Sequence, residues 1–161
     1  MGDIDPQLSV DEIETRNVEE QHTAAVRRRV SPAEVRSFVA SVQGTVGTHL
    51  QRIGVSTTGF PYVRFHERGE GLDVEAGLPV SERVTPKDEV EASMLPGGEV
   101  LAVWHRGDPN ELGPAFEAIA YACARDGLEP TSPPWAIHHS AIDEVDAGRW
   151  LTEVVQPVRE V

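Results

Sequence analysis

Glu153 is the residue whose surroundings most clearly indicate chemistry. It lies in residues 150–155 (WLTEVV), which have the composition of a buried strand, and strand alternation places it on the same face as Leu151 and Val155. Because a buried carboxylate without a partner is costly, this pattern indicates a negative charge at the floor of a pocket, facing a cationic or hydrogen-bond-donating ligand. The alternative is a strand face that is open to water.

A second glutamate, Glu75, lies in a similar stretch and shares its strand face with Asp73 and Gly77. That face is polar, so the pattern favours a glutamate exposed to water. Together, Glu153 and Glu75 have the chemistry for general acid–base catalysis, but nothing in the sequence requires it.

Aromatic residues make up only 6% of the chain, yet several of them cluster in predicted strands. Aromatic rings beside a carboxylate are the parts needed to hold a flat or cationic apolar molecule; the alternative is ordinary core packing. The clustered residues are Phe60, Tyr62, Phe65, Trp104, Trp135 and Trp150.

The six histidines do not have the spacing of a metal site. His138 and His139 are adjacent on a predicted strand, so they point to opposite faces, and one of them should face the site as a hydrogen-bond partner or proton carrier. The single cysteine, Cys123, excludes a disulfide framework and a Cys-based zinc site. The sequence has no nucleophile or phosphate-loop motif, so we expect neither a metal nor a cofactor.

The charge balance is strongly acidic, with 14 Lys and Arg against 27 Asp and Glu and a formal net charge of −13. Such a domain is repelled by nucleic acid and by anionic membrane surfaces, and it attracts cations. Residues 1–20 lack the apolar core of a signal peptide, and no apolar run is long enough to span a membrane. These features favour a cytoplasmic protein that binds neither nucleic acid nor membranes directly.

The sequence contains an internal repeat. Residues 11–14 (DEIE) recur as residues 88–91 (DEVE), 77 positions later, and further matches follow. Among the matched pairs are His66 with His139 and Glu75 with Glu153. The repeat predicts a tail at residues 1–9, a first module at 10–80, a linker at 81–87 and a second module at 88–161.

Each module reads as two strands, a helix and two further strands, with the first two strands forming a hairpin. The predicted strands are 11–18, 21–29, 62–67, 72–80, 89–95, 99–106, 135–140 and 149–158. Each helix begins at a capping residue followed by proline (Ser31 and Asp108) and ends near a glycine (Gly54 and Gly127). The predicted fold class is α+β: two pseudo-symmetric strand–helix–strand–strand modules that form an antiparallel sheet, with two main helices and a central ligand cleft.

Four local patterns, in a fixed order, carry a family resemblance. They are residues 75–80 (EAGLPV), 95–107 (LPGG leading into VWHRG), 127–135 (GLEP with PPW) and 150–158 (WLTEV with PV). They resemble the effector-binding domain of gyrase-inhibitor-like proteins, which also occurs at the C-terminus of some AraC-type and MerR-type multidrug regulators. The resemblance implies a central cleft in which Glu153 meets cationic lipophilic ligands. It also implies that aromatic residues line the cleft, Trp135 foremost.

The leading hypothesis is a stand-alone small-molecule binding protein that captures an apolar, cationic or planar aromatic compound for sensing or sequestration. Residues 1–10 are too short for a helix-turn-helix, so a regulatory partner would be a separate protein. The expected ligand-binding residues are Glu153, Trp135, Tyr62, Trp104, Trp150, His138 and Phe60.

Two alternatives stay open. A hydrolase that opens reactive rings of genotoxic compounds would use Glu153 as acid or base, with Glu75 or His138 as partner, and would alter its ligand chemically. An acidic inhibitor module would bind a basic protein in a salt-sensitive complex and would have no affinity for small molecules.

Overall fold

The computed structural model describes residues 13–68, 71–108, 111–139 and 150–161. Its strands are β1 (Glu14–Val18), β2 (Gln21–Val30), β3 (Tyr62–Glu67), β4 (Leu72–Pro79), β5 (Glu91–Leu95), β6 (Gly98–Arg106), β7 (Leu128–Pro130), β8 (Trp135–His138) and β9 (Leu151–Glu160). The helices are α1 (Val35–Ile53) and α2 (Gly113–Asp126), and a short 3₁₀ turn at Pro32–Glu34 precedes α1. All strand pairs within the two compact units, which are described below, are antiparallel. The predicted α+β class is therefore confirmed.

The chain forms two compact units. The split unit contains the chain up to Val18 together with residues 98–161, and the continuous unit contains residues 19–97. In the split unit the strands pair in the order β1, β6, β9, β8, and β7 pairs with β9. In the continuous unit they pair in the order β5, β2, β4, β3. Helix α1 packs on β2 and β4, and α2 packs on β6, β7 and β9.

The predicted hairpins are wrong. Strand β1 pairs with β6 instead of β2, and β5 pairs with β2 instead of β6. The first strand of each sequence repeat therefore belongs to the unit built mainly from the other repeat. Alternation of apolar and polar residues specifies which face of a strand is buried, but it does not specify which neighbour the strand pairs with.

The two helices differ in how well the sequence predicts their starts. Before α1, the Ser31 N–H donates to Glu34 Oε1 at 2.8 Å, as a capping box requires, and α1 begins directly after this turn. Helix α2 begins at Gly113 and not near Asp108, and residues 109–110 lie outside the described part of the chain. Pro114 explains the later start, because proline is tolerated in the first turn of a helix and not in its interior.

Both helices end as predicted, at glycines with left-handed backbone conformations. Gly54 has φ 71° and Gly127 has φ 66°, values that favour glycine over residues with a side chain. The buried face of α1 consists of Val35, Phe38, Val39, Val42, Val46, His49 and Leu50. Cys123 lies on the buried face of α2.

A buried polar row crosses the sheet of the split unit. Thr152 on β9 pairs with His105 on β6 and with His138 on β8, and all three are buried. His105 Nε2 lies 3.2 Å from the carbonyl oxygen of Asp108, whereas Thr152 Oγ1 and both ring nitrogens of His138 have no hydrogen-bond partner among the described residues. Burial lowers the pKa of His138 to about 4, with a smaller contribution from His139, so its ring is neutral at neutral pH.

Gly77 on β4 is surrounded too closely for any side chain. It pairs with Ala25 on β2 and with Tyr62 on β3. A Cβ atom at this position would lie 2.2 Å from the carbonyl oxygen of Ala24 and 2.9 Å from Ala25 Cβ. Since the nearest atom belongs to the backbone, the strands would have to separate to accept it.

We expect Gly77→Ala to lower the free energy of unfolding by about 3 kcal/mol, because the added methyl group forces β2 and β4 apart. Gly47→Ala is the matched control: a Cβ there meets nothing within 4 Å, and alanine in a helix is more stable than glycine by about 0.5–1 kcal/mol. Urea unfolding followed by circular dichroism measures both values. A Gly77→Ala variant as stable as the wild type would contradict the packing described for β4.

We also expect acid to destabilise the protein through His138. The unfolded chain binds a proton there below about pH 6.5, whereas the folded chain does so only below about pH 4. The free energy of unfolding should therefore fall by up to about 3 kcal/mol as the pH drops through this interval. His138→Gln should lose this part of the pH dependence in urea unfolding at pH 7, 5.5 and 4.5, and an unchanged dependence would show that His138 is not its source.

Candidate functional site

On one face of the sheet of the split unit lies a polar centre built around Glu153. Strand register places Glu153 opposite Trp104 on β6 and opposite Ile137 on β8, and it places Arg16 of β1 on the same face, opposite Val100. Directly paired residues of antiparallel strands point to the same side of a sheet. The sheet therefore brings together residues that are distant in the chain.

Glu153 is buried, at 5% exposed, and both of its carboxylate oxygens have partners. Arg16 Nη2 donates to Oε2, and His139 Nε2 lies 3.1 Å from Oε1. The Trp104 ring packs against the His139 ring with 4.8 Å between centroids. The arrangement consists of an anion, a cation, a hydrogen-bonding imidazole and an aromatic surface.

The electrostatics keep His139 neutral. Burial lowers the pKa of His139, and the positive charge of Arg16 lowers it further. Above its ordinary pKa of about 6.5 the imidazole is therefore uncharged. It can then donate its Nε2 proton to Glu153, so Arg16 is the one full positive charge that the described contacts of Glu153 contain.

A second polar centre lies in the continuous unit, around Glu75. This side chain is 4% exposed. It accepts hydrogen bonds from the Tyr62 hydroxyl at 2.5 Å and from Ser93 Oγ at 2.8 Å, and it lies 2.8 Å from His66 Nε2. Tyr62 is also 2.9 Å from Thr23 Oγ1. Burial and the neighbouring carboxylate raise the pKa of Tyr62 well above its usual value, so it stays a donor.

The expectation that Glu75 is exposed to water is wrong. Its strand face does contain Asp73 and Gly77, as the sequence indicates. Tyr62 on β3 and Ser93 at the far side of β2 nevertheless reach over the sheet to the carboxylate and exclude water. Partners from neighbouring strands cannot be inferred from the strand that carries the glutamate.

The two centres share two kinds of partner, and Glu75 has Tyr62 as a third. Each glutamate binds a histidine from the neighbouring strand or its end and a donor from the first strand of a repeat. That donor is Arg16 for Glu153 and Ser93 for Glu75, and these two residues are 77 positions apart, the offset of the repeat. One carboxylate is thus paired with a cation, and the other accepts from uncharged hydroxyl groups.

The predicted site residues are distributed among different places. Trp104 lies beside the Glu153 centre, whereas Tyr62 belongs to the Glu75 centre. His138 occupies the strand face opposite Glu153. Its ring and the ring of the buried Trp150 pack edge to face, with 6.2 Å between their centroids. The neighbouring His139 is the one that reaches Glu153.

Two further candidates differ in burial. Trp135 is buried and pairs with Val155 on β9, two residues along from Glu153. Phe60 is 52% exposed and precedes β3.

Sequence reasoning left open which of His138 and His139 faces the site and listed His138 among the ligand-binding residues, whereas His139 contacts Glu153. It missed His66, Arg16 and Ser93 as partners of the two acids. The repeat did contain a signal for the histidines, because His66 and His139 occupy matched positions. It contained none for Arg16 and Ser93, since their contacts depend on the exchanged strands β1 and β5.

Apart from these centres, the continuous unit has a pocket of about 490 Å³ between α1 and the turn before β5. It is lined by Thr45, Thr48, His49, Arg52, Lys87, Asp88, Glu89 and Val90. None of these is a predicted site residue. Within the described ranges, no three His, Cys, Asp or Glu side chains are grouped so that they could hold a metal ion. Neither described helix is long and apolar enough to cross a membrane.

Several solved structures share this fold. The C-terminal domain of EcmrR has a TM-score of 0.81 at 18% identity, over 92% of this chain and 98% of that domain. In its complex with DNA, EcmrR has a TM-score of 0.80 at 18% identity; 92% of this chain is covered, and this chain spans 57% of that longer one.

Two other structures are more distant. A hydrolase from Listeria innocua has a TM-score of 0.66 at 14% identity, with 92% of each chain covered. SAV2435, solved bound to tetraphenylphosphonium, has a TM-score of 0.57 at 8% identity, over 92% of this chain and 94% of that one. At such identities the likeness shows the fold alone.

The sequence itself assigns the family. A comparison with curated proteins finds no match. The family model of the GyrI-like small molecule binding domain, however, matches residues 11–159, almost the whole chain. The chain therefore belongs to the family of GyrI-like small-molecule binding domains.

Proposed function

We propose that this protein binds an apolar organic cation, or a planar aromatic compound with a positive charge, at the Glu153 centre, and that it senses or sequesters that compound. The observation that carries the proposal is the buried carboxylate of Glu153 beside the half-buried ring of Trp104. Membership of a small-molecule binding family supports the general role.

The charge of the ligand follows from the cost of burying an anion. A carboxylate removed from water needs a positive partner or several donors. Arg16 and His139 meet this need in the described structure, and an organic cation in place of Arg16 would meet it without bringing in water. An aromatic face beside the acid adds a cation–π contribution of about 0.5–2 kcal/mol. A net charge of −13 raises the local concentration of cations around the whole molecule.

Tetraphenylphosphonium is a suitable first probe. It carries one positive charge shielded by four phenyl groups, and it is the compound named in the SAV2435 structure. If the outcome of binding is sensing, we propose that a regulatory protein recognises the loaded form. Sequestration would need no such partner.

A second candidate function is hydrolysis, and the contact between His139 and Glu153 favours it. An imidazole 3.1 Å from a buried carboxylate can pass a proton to or from a substrate or a water molecule. A binding protein returns its ligand unchanged, whereas a hydrolase returns a product. Mass spectrometry of the compound after incubation separates the two functions.

We expect Glu153→Gln to weaken the binding of tetraphenylphosphonium at least tenfold, because the amide keeps the shape of the side chain and removes its charge. Isothermal titration calorimetry measures the dissociation constants. Glu129→Gln is the matched control: it makes the same charge change at a side chain that is 41% exposed and bonded to Arg159. Equal weakening in both variants would assign the effect to overall charge and contradict a specific role of Glu153.

A further inference from the structure

The Arg16–Glu153 contact has the geometry of a replaceable ion pair. The Arg16 side chain is 38% exposed, whereas that of Glu153 is 6% exposed. Arg16 lies on β1, at the edge of the sheet of the split unit, and its Nε is 3.8 Å from Glu14 Oε2. The guanidinium therefore has access to water and a second acidic neighbour, whereas the Glu153 carboxylate is closed off from water.

We infer that Arg16 is an internal counter-ion that a cationic ligand must displace from Glu153, and that it thereby sets the charge preference of the site. This inference rests on the proposed binding of a ligand at Glu153. While Arg16 is bound to the Glu153 carboxylate, a cationic ligand must compete with the guanidinium for the acid and is repelled by it. An anionic aromatic compound meets an attractive guanidinium instead.

The Glu75 centre shows the strand position of Arg16 filled by an uncharged residue. There the residue at the position of Arg16 is Ser93, whose hydroxyl donates to the acid at 2.8 Å without adding charge. The same strand position thus accepts either a cation or a small neutral donor. Arg16→Ser reproduces in the split unit a partner that the continuous unit already uses.

Displacement of Arg16 should also change the pKa of His139. Arg16 contributes to the lowered pKa of His139, so removal of the guanidinium, by mutation or by its movement away, should raise that pKa. A ligand cation that takes the place of Arg16 should lower it again. The His139 ring, which lies 3.1 Å from Glu153, therefore reports on the charge beside the acid.

The test compares three probes of similar shape: tetraphenylphosphonium, the neutral triphenylphosphine oxide and the anionic tetraphenylborate. We expect Arg16→Ser to bind tetraphenylphosphonium about tenfold more tightly than the wild type and tetraphenylborate more weakly, with little change for the oxide. Arg16→Lys, which keeps the charge, should behave as the wild type. Arg159→Ser removes the same charge from a side chain that is 70% exposed, and should leave all three affinities nearly unchanged.

Two further measurements make the result specific. In the Glu153→Gln background, Arg16→Ser should give no gain for tetraphenylphosphonium, because the two residues act through one contact. The His139 pKa, followed by NMR, should rise in Arg16→Ser and fall when the phosphonium binds. If Arg16→Ser does not fold, as judged by circular dichroism, Arg16→Met keeps the aliphatic stem and takes the same tests.

The outcomes separate the inference from the proposed function. If Glu153→Gln weakens the phosphonium and Arg16→Ser leaves its affinity unchanged, the proposed function stands and the displacement of Arg16 is overturned. If neither the wild type nor any Arg16 variant binds any probe, the proposed function fails and the inference fails with it. A gain in Arg16→Ser that persists without the Glu153 charge would also overturn the inference.

Discussion

A glutamate side chain held away from water needs donors or a cation within reach, and this requirement links the strands of each unit. Glu153 on β9 takes one partner from β1 and one from the end of β8, while Glu75 on β4 takes its partners from β3 and β5. In both units the acid is bonded to residues from both sides of its own strand. The strand exchange is therefore part of how the acids are accommodated.

The two centres differ in the groups that hydrogen-bond directly to the acid. The hydrogen-bond partners of Glu75 are uncharged hydroxyl groups and an imidazole, and Arg27 and Arg64 occupy the directly paired positions on β2 and β3. Glu153 accepts a hydrogen bond from a guanidinium and also contacts an imidazole. A neutral donor satisfies an oxygen atom without neutralising the carboxylate, whereas a cation does both. Two acids at matched positions of the sequence repeat therefore have direct hydrogen-bond partners of different charge.

The sheet of the split unit separates two kinds of polar chemistry on its two faces. One face carries Glu153 with its cation and its imidazole, and the other carries the buried row of His105, Thr152 and His138. Both carboxylate oxygens of Glu153 have hydrogen-bond partners, whereas Arg16 Nε on that face, and Thr152 Oγ1 and both ring nitrogens of His138 on the other, have none among the described residues. The two adjacent histidines therefore have different roles: His139 contacts the acid, and His138 stays neutral in the core.

The sequence by itself determined most local elements and the family. Alternation predicted eight of the nine described strands and missed β7, and the capping signals and glycines specified most helix ends. The ordered motifs of residues 75–158 identified a GyrI-like domain. It also singled out Glu153 as unusual, because a charge in an apolar strand is visible without neighbours. Only the tertiary structure decided which strands pair, that Glu75 is buried, and that Arg16 and Ser93 reach the two acids. The pairing of β1 with β6 brings Arg16 to Glu153, 137 positions away in the chain, and a periodic pattern contains no information about a partner at that distance.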